Sequence, residues 1–369
     1  MNVIVYAIAS RSGGALSVLT DFYKEVTEHS EKYPDITWYF MLSTQELPET
    51  DNVKVIRNEW SVKSWGHRAY YNLVTVKRAI KKYNVKAIVS LQNMSVLGSG
   101  IPNIVCLHNV LPLYKCDATV LDNTKQRLKQ VLVNRGIINS LRGAYRVMVA
   151  SEWIKDELMK QFGIKEEQIV VSKLAIPKAE MPVIKDEEVR DGKLRFFYPA
   201  SSFPYKNHRV VVEACKQLAS DGVANYEVVF TIREEQSKTA AELSAEVKRF
   251  GLPIAFVGNL DRDLVLQAYM ENVLLFPSKI ENDAMPLLEC MQYGGYVLAA
   301  DLPYARDALG EYAGKKYFEA NDALTLARQM RELIESGIPK VEIVPNGEMV
   351  IEKSRPEKVV VELRKLEME

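Results

Sequence analysis

The 369-residue sequence holds only four cysteines and four histidines. Cys106, Cys116, Cys215 and Cys290 stand far apart inside apolar runs, with neither the CxxC spacing of a metal site nor the density of a disulfide framework. They read as buried thiols in a reducing compartment. No His/Cys cluster offers a divalent cation a seat, and no metal site is expected. Nowhere do the ~20 uninterrupted apolar residues of a bilayer-crossing helix occur. Met1-Asn2-Val3-Ile4-Val5-Tyr6 enters a strand with no basic leader before it. The protein is therefore expected in the cytoplasm. A G-x-G-x-x-G fingerprint is missing as well, since Gly13-Gly14 is all that follows the first apolar run, and this argues against a nicotinamide dehydrogenase. Low-complexity tracts and short-period repeats are absent.

What is present is 47% hydrophobic content over a length at which single cores split, since they stop growing near ~250 residues. Two domains are the default. Short, nearly continuous apolar runs alternate with helical patterns: 3–9, 36–42, 87–91, 103–107 and 146–150 in the first half, then 194–199, 226–232, 254–257, 273–276 and 296–299. Such runs suit strands buried on both faces, and the alternation predicts an α/β fold with parallel sheets covered by helices. Val211, Cys215 and Leu218 recur at helical spacing on one side of such a helix. Between Ala175 and Gly192 the pattern fails, with Pro177, Pro182 and a charged run, so residues 1–174 and 193–350 read as domains joined by a linker at 175–192. A last helix within 351–369 is expected to cross back to the first domain.

Net charge is zero, and no nucleic-acid partner is expected. The charge is uneven, however. Residues 1–172 carry 22 Lys+Arg against 16 Asp+Glu, and residues 173–369 carry 26 against 32, so the halves stand at +6 and −6. Lys63 to Lys86 and Lys125 to Arg146 contain no acidic residue, which suits peripheral contact with anionic lipid at the inner face of the plasma membrane. The plainer alternative is two solvated helix faces.

The densest motif is Phe276-Pro277-Ser278-Lys279-Ile280-Glu281-Asn282-Asp283-Ala284-Met285-Pro286-Leu287-Leu288-Glu289. A strand ends in a turn, and a helix is expected to open near Asp283, with Asp283 as its cap and Pro286 in its first turn. Open α/β sheets bind ligands at such corners, where free backbone N–H groups and the positive end of a helix can hold a pyrophosphate or sugar hydroxyls. Glu281 before the helix and Glu289 about one turn in can accept hydrogen bonds from opposite ends of one ligand.

This arrangement, Pro-Ser before the first Glu and Pro-Leu-Leu before a second Glu eight residues on, resembles the family 4 retaining glycosyltransferases (glycosyl transferases group 1) of the GT-B fold. Phe256-Val257-Gly258 and Tyr293-Gly294-Gly295-Tyr296 extend the likeness over roughly 198–320; in the first half it rests on Gly13-Gly14 and Cys106-Leu107-His108-Asn109. The resemblance implies two Rossmann-like, doubly wound domains facing a central cleft. The donor would be a UDP- or GDP-linked sugar, with no cofactor beyond it. The acceptor would be a saccharide or lipid-linked saccharide, as in surface polysaccharide synthesis. Glu281 and His108 would contact the transferred sugar, Lys206 the phosphates and Glu289 the ribose, with Asn282, Asp283, Ala284, Met285, Gly13 and Gly14 lining the donor site. The family's arginine about five residues before the lysine is replaced by Ser201, for which Arg233 is a candidate substitute. Asn282-Asp283-Ala284-Met285 also stands where a Gly-Phe-Gly type of loop is common. Phe203 and Tyr205 read as packing residues. A GT-B-fold nucleotide-sugar epimerase and a non-catalytic nucleotide-sugar-binding scaffold are the alternatives.

Overall fold

The computed structural model describes residues 1–115, 120–121, 123–173, 192–339, 341 and 355–368. Thirteen strands are present among them: β1 Asn2–Tyr6, β2 Thr37–Leu42, β3 Val53–Arg57, β4 Ala87–Ser90, β5 Asn103–Cys106, β6 Arg146–Val149, β7 Ile169–Val171, β8 Leu194–Tyr198, β9 Tyr226–Phe230, β10 Ile254–Phe256, β11 Val273–Phe276, β12 Val297–Ala300 and β13 Lys315–Phe318. The helices are α1 Gly13–Glu28, α2 Trp65–Tyr70, α3 Lys77–Lys82, α4 Thr124–Arg142, α5 Glu152–Phe162, α6 His208–Ser220, α7 Lys238–Phe250, α8 Arg262–Glu271, α9 Met285–Gln292, α10 Pro303–Leu309, α11 Ala323–Ser336 and α12 Arg355–Met368.

The strands form two all-parallel sheets, ordered β3-β2-β1-β4-β5-β6-β7 and β10-β9-β8-β11-β12-β13. Each reverses its winding once, between β1 and β4 in the first and between β8 and β11 in the second. Crossovers leave that strand end by opposite faces there, which opens a crevice at the carboxyl ends. The ten apolar runs all fall on strands, and their buried pattern, complete in β4, β5, β11 and β12, matches sheets covered on both faces. Three edge or near-edge strands, β3, β7 and β13, escape that reading because they are short or half polar, as in Lys315-Lys316-Tyr317-Phe318. On α6, Val211, Cys215 and Leu218 are indeed buried.

The chain divides into two compact units, Met1–Tyr114 with Lys129–Ala175 and Ile351–Glu369, and Lys115–Leu128 with Ile176–Val350. The sequence reading placed all of 1–174 in one domain; the start of α4 groups instead with the second unit. The expected linker lies outside the described residues except Gly192, as does Cys116; Cys106, Cys215 and Cys290 are buried free thiols.

Helix α12 belongs to the first unit. Val359, Val360 and Leu363 pack with Val3, Leu19 and Phe22, and each fully buried aliphatic side chain contributes about 1.5–3 kcal/mol. Arg146 pairs with Glu362 at 2.6 Å, and Arg364 grips both carboxylate oxygens of Asp35, whose acidity is thereby held near a pKa of about 2. Arg146, the last residue of the acid-free run Lys125 to Arg146, is thereby mostly buried and neutralised and is not available to a lipid surface. In the second unit Gly295 leads into β12, where a Cβ would stand 2.2 Å from the Tyr269 carbonyl and 2.5 Å from Cys290 Sγ, so only glycine lets α8 and α9 close on the strand.

Candidate active site

The two loops that leave β8 and β11 flank the reversal in the second sheet. After Tyr198 the chain runs to a single 3₁₀ turn at Pro204–Lys206, and Asn207 adopts the left-handed conformation (φ 58°) before α6 begins. Asparagine tolerates this region better than most residues. Its buried amide donates to the carbonyls of Pro277 (3.2 Å) and Ala320 (2.7 Å), tying this turn to the ends of β11 and β13. Tyr198 Oη donates to the Lys206 carbonyl at 2.7 Å, and the Lys279 N–H donates to the Tyr205 carbonyl at 2.7 Å. Fixed in this way, Lys206 Nζ meets Glu281 Oε1 at 2.6 Å, with the two side chains 18% and 12% exposed. Charges so little hydrated attract far more strongly than a surface pair.

The loop carrying Glu281 is braced from below. Ser278 Oγ donates to the Ile280 carbonyl at 3.2 Å, and Tyr304 Oη donates to the Ser278 carbonyl. Helix α9 opens at Met285, with Pro286 in its first turn, and its cap is Ala284, whose side chain supplies no hydrogen bond. Asp283 is therefore not the cap expected from sequence; it takes a 2.6 Å hydrogen bond from the Asn282 amide instead. Ala284 sits at φ 43°, ψ 41°, where a Cβ is crowded and glycine is at home. Ala284→Gly is expected to raise stability by about 1 kcal/mol, read as a shift in the urea midpoint at constant slope. An unchanged or lowered midpoint would refute the strain.

Glu289, on the inward side of α9, is 5% exposed and pairs with Arg262 Nη2 at 2.8 Å. Arg262 was not singled out from sequence, because only the fold brings α8 against α9. Its guanidinium is more than half exposed and so keeps N–H groups toward solvent while orienting Glu289. The turn that aims Lys206 at Glu281, and the helix that buries Glu289 one turn later, lie at the crevice where parallel sheets take nucleotides.

Residues 182–349 match the family model of the glycosyl transferases group 1. The second half of the chain is thus similar to the group 1 glycosyltransferases. Among solved structures the fold resembles sucrose-phosphate synthase from Thermosynechococcus elongatus, at 14% identity over 91% of this chain and 90% of that chain (TM-score 0.66). It also resembles Anabaena HepE in complex with UDP and glucose, at 15% over 91% and 90% (TM-score 0.61). The lipopolysaccharide outer core galactosyltransferase WaaB in its apo form matches at 15% over 99% and 95% (TM-score 0.61). At such identities the likeness is one of fold, and that fold is GT-B. No curated protein sequence matches.

Within the second unit, Ser201 lines a recess of about 620 Å³ with Ser202, Thr231, Gln236 and Asn259. Arg233 lines a separate recess of about 460 Å³ with Glu234 and Lys248, and its side chain lies across Gly258, where a Cβ would fall 2.3 Å from Nε. Its contacts therefore do not join it to Ser201, and the expected substitution for the missing arginine finds no support there. Phe203 is 52% exposed and stacks flat on Tyr205 (ring centroids 5.4 Å apart, planes 8° apart), whose ring lies under Lys206 Nζ at 5.7 Å. Only Tyr205 is a packing residue in the sense expected. The sequence was read as holding no Asp-x-Asp tripeptide, which is corrected by Asp261-Arg262-Asp263; Arg262 within it serves Glu289, and among the described residues no three His, Cys, Asp or Glu side chains converge as metal ligands.

The remaining candidates lie in the first unit. Gly13 and Gly14 open α1 after β1. His108 follows β5, its N–H and that of Asn109 both donating to Asn93 Oδ1 at 2.6 and 2.8 Å. The ring stands 3.3 Å from Arg355 Nη1 through Nδ1, which places the proton on Nε2, a buried atom without a partner. Burial, helped by the Arg355 charge, depresses its pKa to about 3, so the imidazole is neutral at physiological pH.

Proposed function

We propose that this chain transfers a sugar from a nucleoside diphosphate donor to a saccharide or lipid-linked saccharide, with retention at the anomeric carbon and without a metal ion. The observation that carries the reading is the shielded Lys206–Glu281 pair at the β8/β11 crevice. An ammonium and a carboxylate held there can be separated by a ligand presenting phosphate oxygens to one and sugar hydroxyls to the other. Each charge then exchanges one partner for another rather than losing it. Lys206 gathers the negative charge that grows on the leaving phosphate as the glycosidic bond breaks. Glu281 accepts hydrogen bonds from the sugar, Glu289 from the ribose, and the short loop Asn282–Met285 lies beside them. Retention follows if the acceptor oxygen bonds to the anomeric carbon on the face that the phosphate leaves, with the departing oxygen keeping the bonding electrons and taking the acceptor's proton.

A panel of UDP-, GDP- and dTDP-sugars tests this reading by calorimetry and by slow donor hydrolysis. One donor is expected to stand out, with UDP-sugars foremost because UDP occupies the related HepE structures. Glu289→Ala is expected to weaken its binding by about 10- to 100-fold, the worth of one or two charged hydrogen bonds. Equal binding of every donor by wild type and variant would overturn the site.

The acceptor side of the reading includes a membrane. Trp60, Tyr70 and Leu73 are exposed, as are Lys63 and Lys77 of the same segment, and Trp60 packs edge-on to Tyr70. Aromatic tips with basic neighbours suit an anionic lipid surface, where each cation contributes about 1 kcal/mol. Flotation with anionic liposomes is expected to carry the protein up at low salt and to fail in high salt or with neutral lipid. Failure with anionic lipid at low salt would leave only solvated faces.

A further inference from the structure

The reversal point of the first sheet, between β1 and β4, holds a second polar cluster that the donor site does not use. Tyr6 is the last residue of β1 and is buried; Gln92 follows β4; Arg68 and Asn72 come from the segment that continues α2. That segment, Tyr71–Val76, winds as a π-helix before α3, a rare geometry met often at functional positions. Arg68, Asn72 and Gln92 all lie within hydrogen-bonding reach of the Tyr6 phenol.

The direction of the hydrogen bonds decides what such a cluster can receive. Gln92 Oε1 accepts from the Ala9 N–H at 3.0 Å and from Arg68 Nη2 at 3.2 Å, and since both partners can only donate, the orientation of that amide is fixed. Asn72 Oδ1 accepts from Tyr6 Oη. Both amide oxygens are thus spent inside the protein. The Gln92 and Asn72 NH₂ groups and the rest of the Arg68 guanidinium remain, and among the described residues they close no hydrogen bond to a carbonyl or carboxylate. Arg68 has no ion-pair partner among the described residues, and from Lys63 to Lys86 the sequence holds no acid to provide one.

A site that offers three donors and no acceptor selects a ligand rich in acceptors. We propose that Arg68, Asn72 and Gln92 form an oxyanion subsite in the first unit that takes a phosphate or carboxylate carried by the acceptor saccharide. The assignment to an acceptor rests on the transferase reading; the anion preference rests on the donor geometry alone. It makes Arg68 a specificity residue, because a neutral hydroxyl in its place would leave a guanidinium under-solvated.

Titrations of the full chain with glucose, glucuronate and glucose 6-phosphate, followed through the Arg Nε–H resonance that Arg68→Lys removes, test the proposal and tell carboxylate from phosphate. One acidic sugar is expected to move that resonance saturably while glucose does not. Arg68→Met is expected to weaken the acidic sugar by about 30-fold, the scale of one charge-assisted pair. Asn72→Asp, which keeps an acceptor for Tyr6 but puts a carboxylate beside Arg68, is expected to weaken it as much, and both variants should leave nucleotide binding unchanged. Equal binding of glucose and both acidic sugars overturns the subsite, as does an unaltered affinity in the two folded variants. Nucleotide binding without any acidic-sugar response refutes the subsite and spares the transferase reading; the converse result does the opposite.

Discussion

Lys206→Met is expected to lower kcat/KM for the preferred donor by about 10³-fold, with most of the loss in kcat. Removing one preorganised charge aimed at a developing oxyanion costs on that order, because water is largely excluded and nothing else takes its place. Methionine keeps nearly the length of lysine and fills the same space over Tyr205. The variant does strand Glu281, which is only 12% exposed, so a structural defect has to be separated from a chemical one. Lys206→Met combined with Glu281→Gln removes both charges together and should regain stability without regaining activity. If the double variant, folded by circular dichroism, turns over donor within threefold of wild type, the pair has no part in the reaction.

Stability is expected to fall steeply as pH drops from 6.5 toward 5. His208 opens α6 with its ring 4.7 Å from Tyr198 and 4.8 Å from Phe230, and its Nε2, like that of His108, is buried without a partner. Burial, assisted by the Lys206 charge for His208 and by Arg355 for His108, lowers both pKa values to about 3. Above the unfolded value near 6.5 neither state holds a proton on these rings, so stability is at its full level. Below it the unfolded chain binds protons that the folded chain refuses until about pH 3, and each histidine costs about 1.4 kcal/mol per pH unit in that window. Urea unfolding at half-unit steps measures the slope, and His208→Gln should remove about half of it. A flat profile from pH 6.5 to 5 would mean that these rings are solvated.

The core of the motif, Glu281 to Glu289, was legible because its signals are local. A strand of four aliphatics and aromatics, a turn and a proline-marked helix start need no distant contact to be recognised. The capping residue was misplaced by one because Asp283 is the better cap by propensity, whereas in the fold α9 opens one residue later, with Ala284 at the cap. Arg233 follows β9, and its packing across Gly258 is a contact that the sequence does not signal. Asn207 drew no notice, since an asparagine before a helix is ordinary until its amide is seen to join the ends of two other strands.

By itself the sequence determined the α/β class, the parallel sheets, the position of most strands and the candidate carboxylates of the second unit. Those properties are written in hydrophobic periodicity and in short-range turn chemistry, which act between residues near one another in the chain. Only the tertiary structure decided that Lys206 meets Glu281, that Arg262 holds Glu289, that Arg355 faces His108, and that Arg68 meets Gln92 and Asn72 meets Tyr6. Each of those pairings joins residues tens to hundreds of positions apart, and the direction of a hydrogen bond exists only once both partners have been set in place by packing.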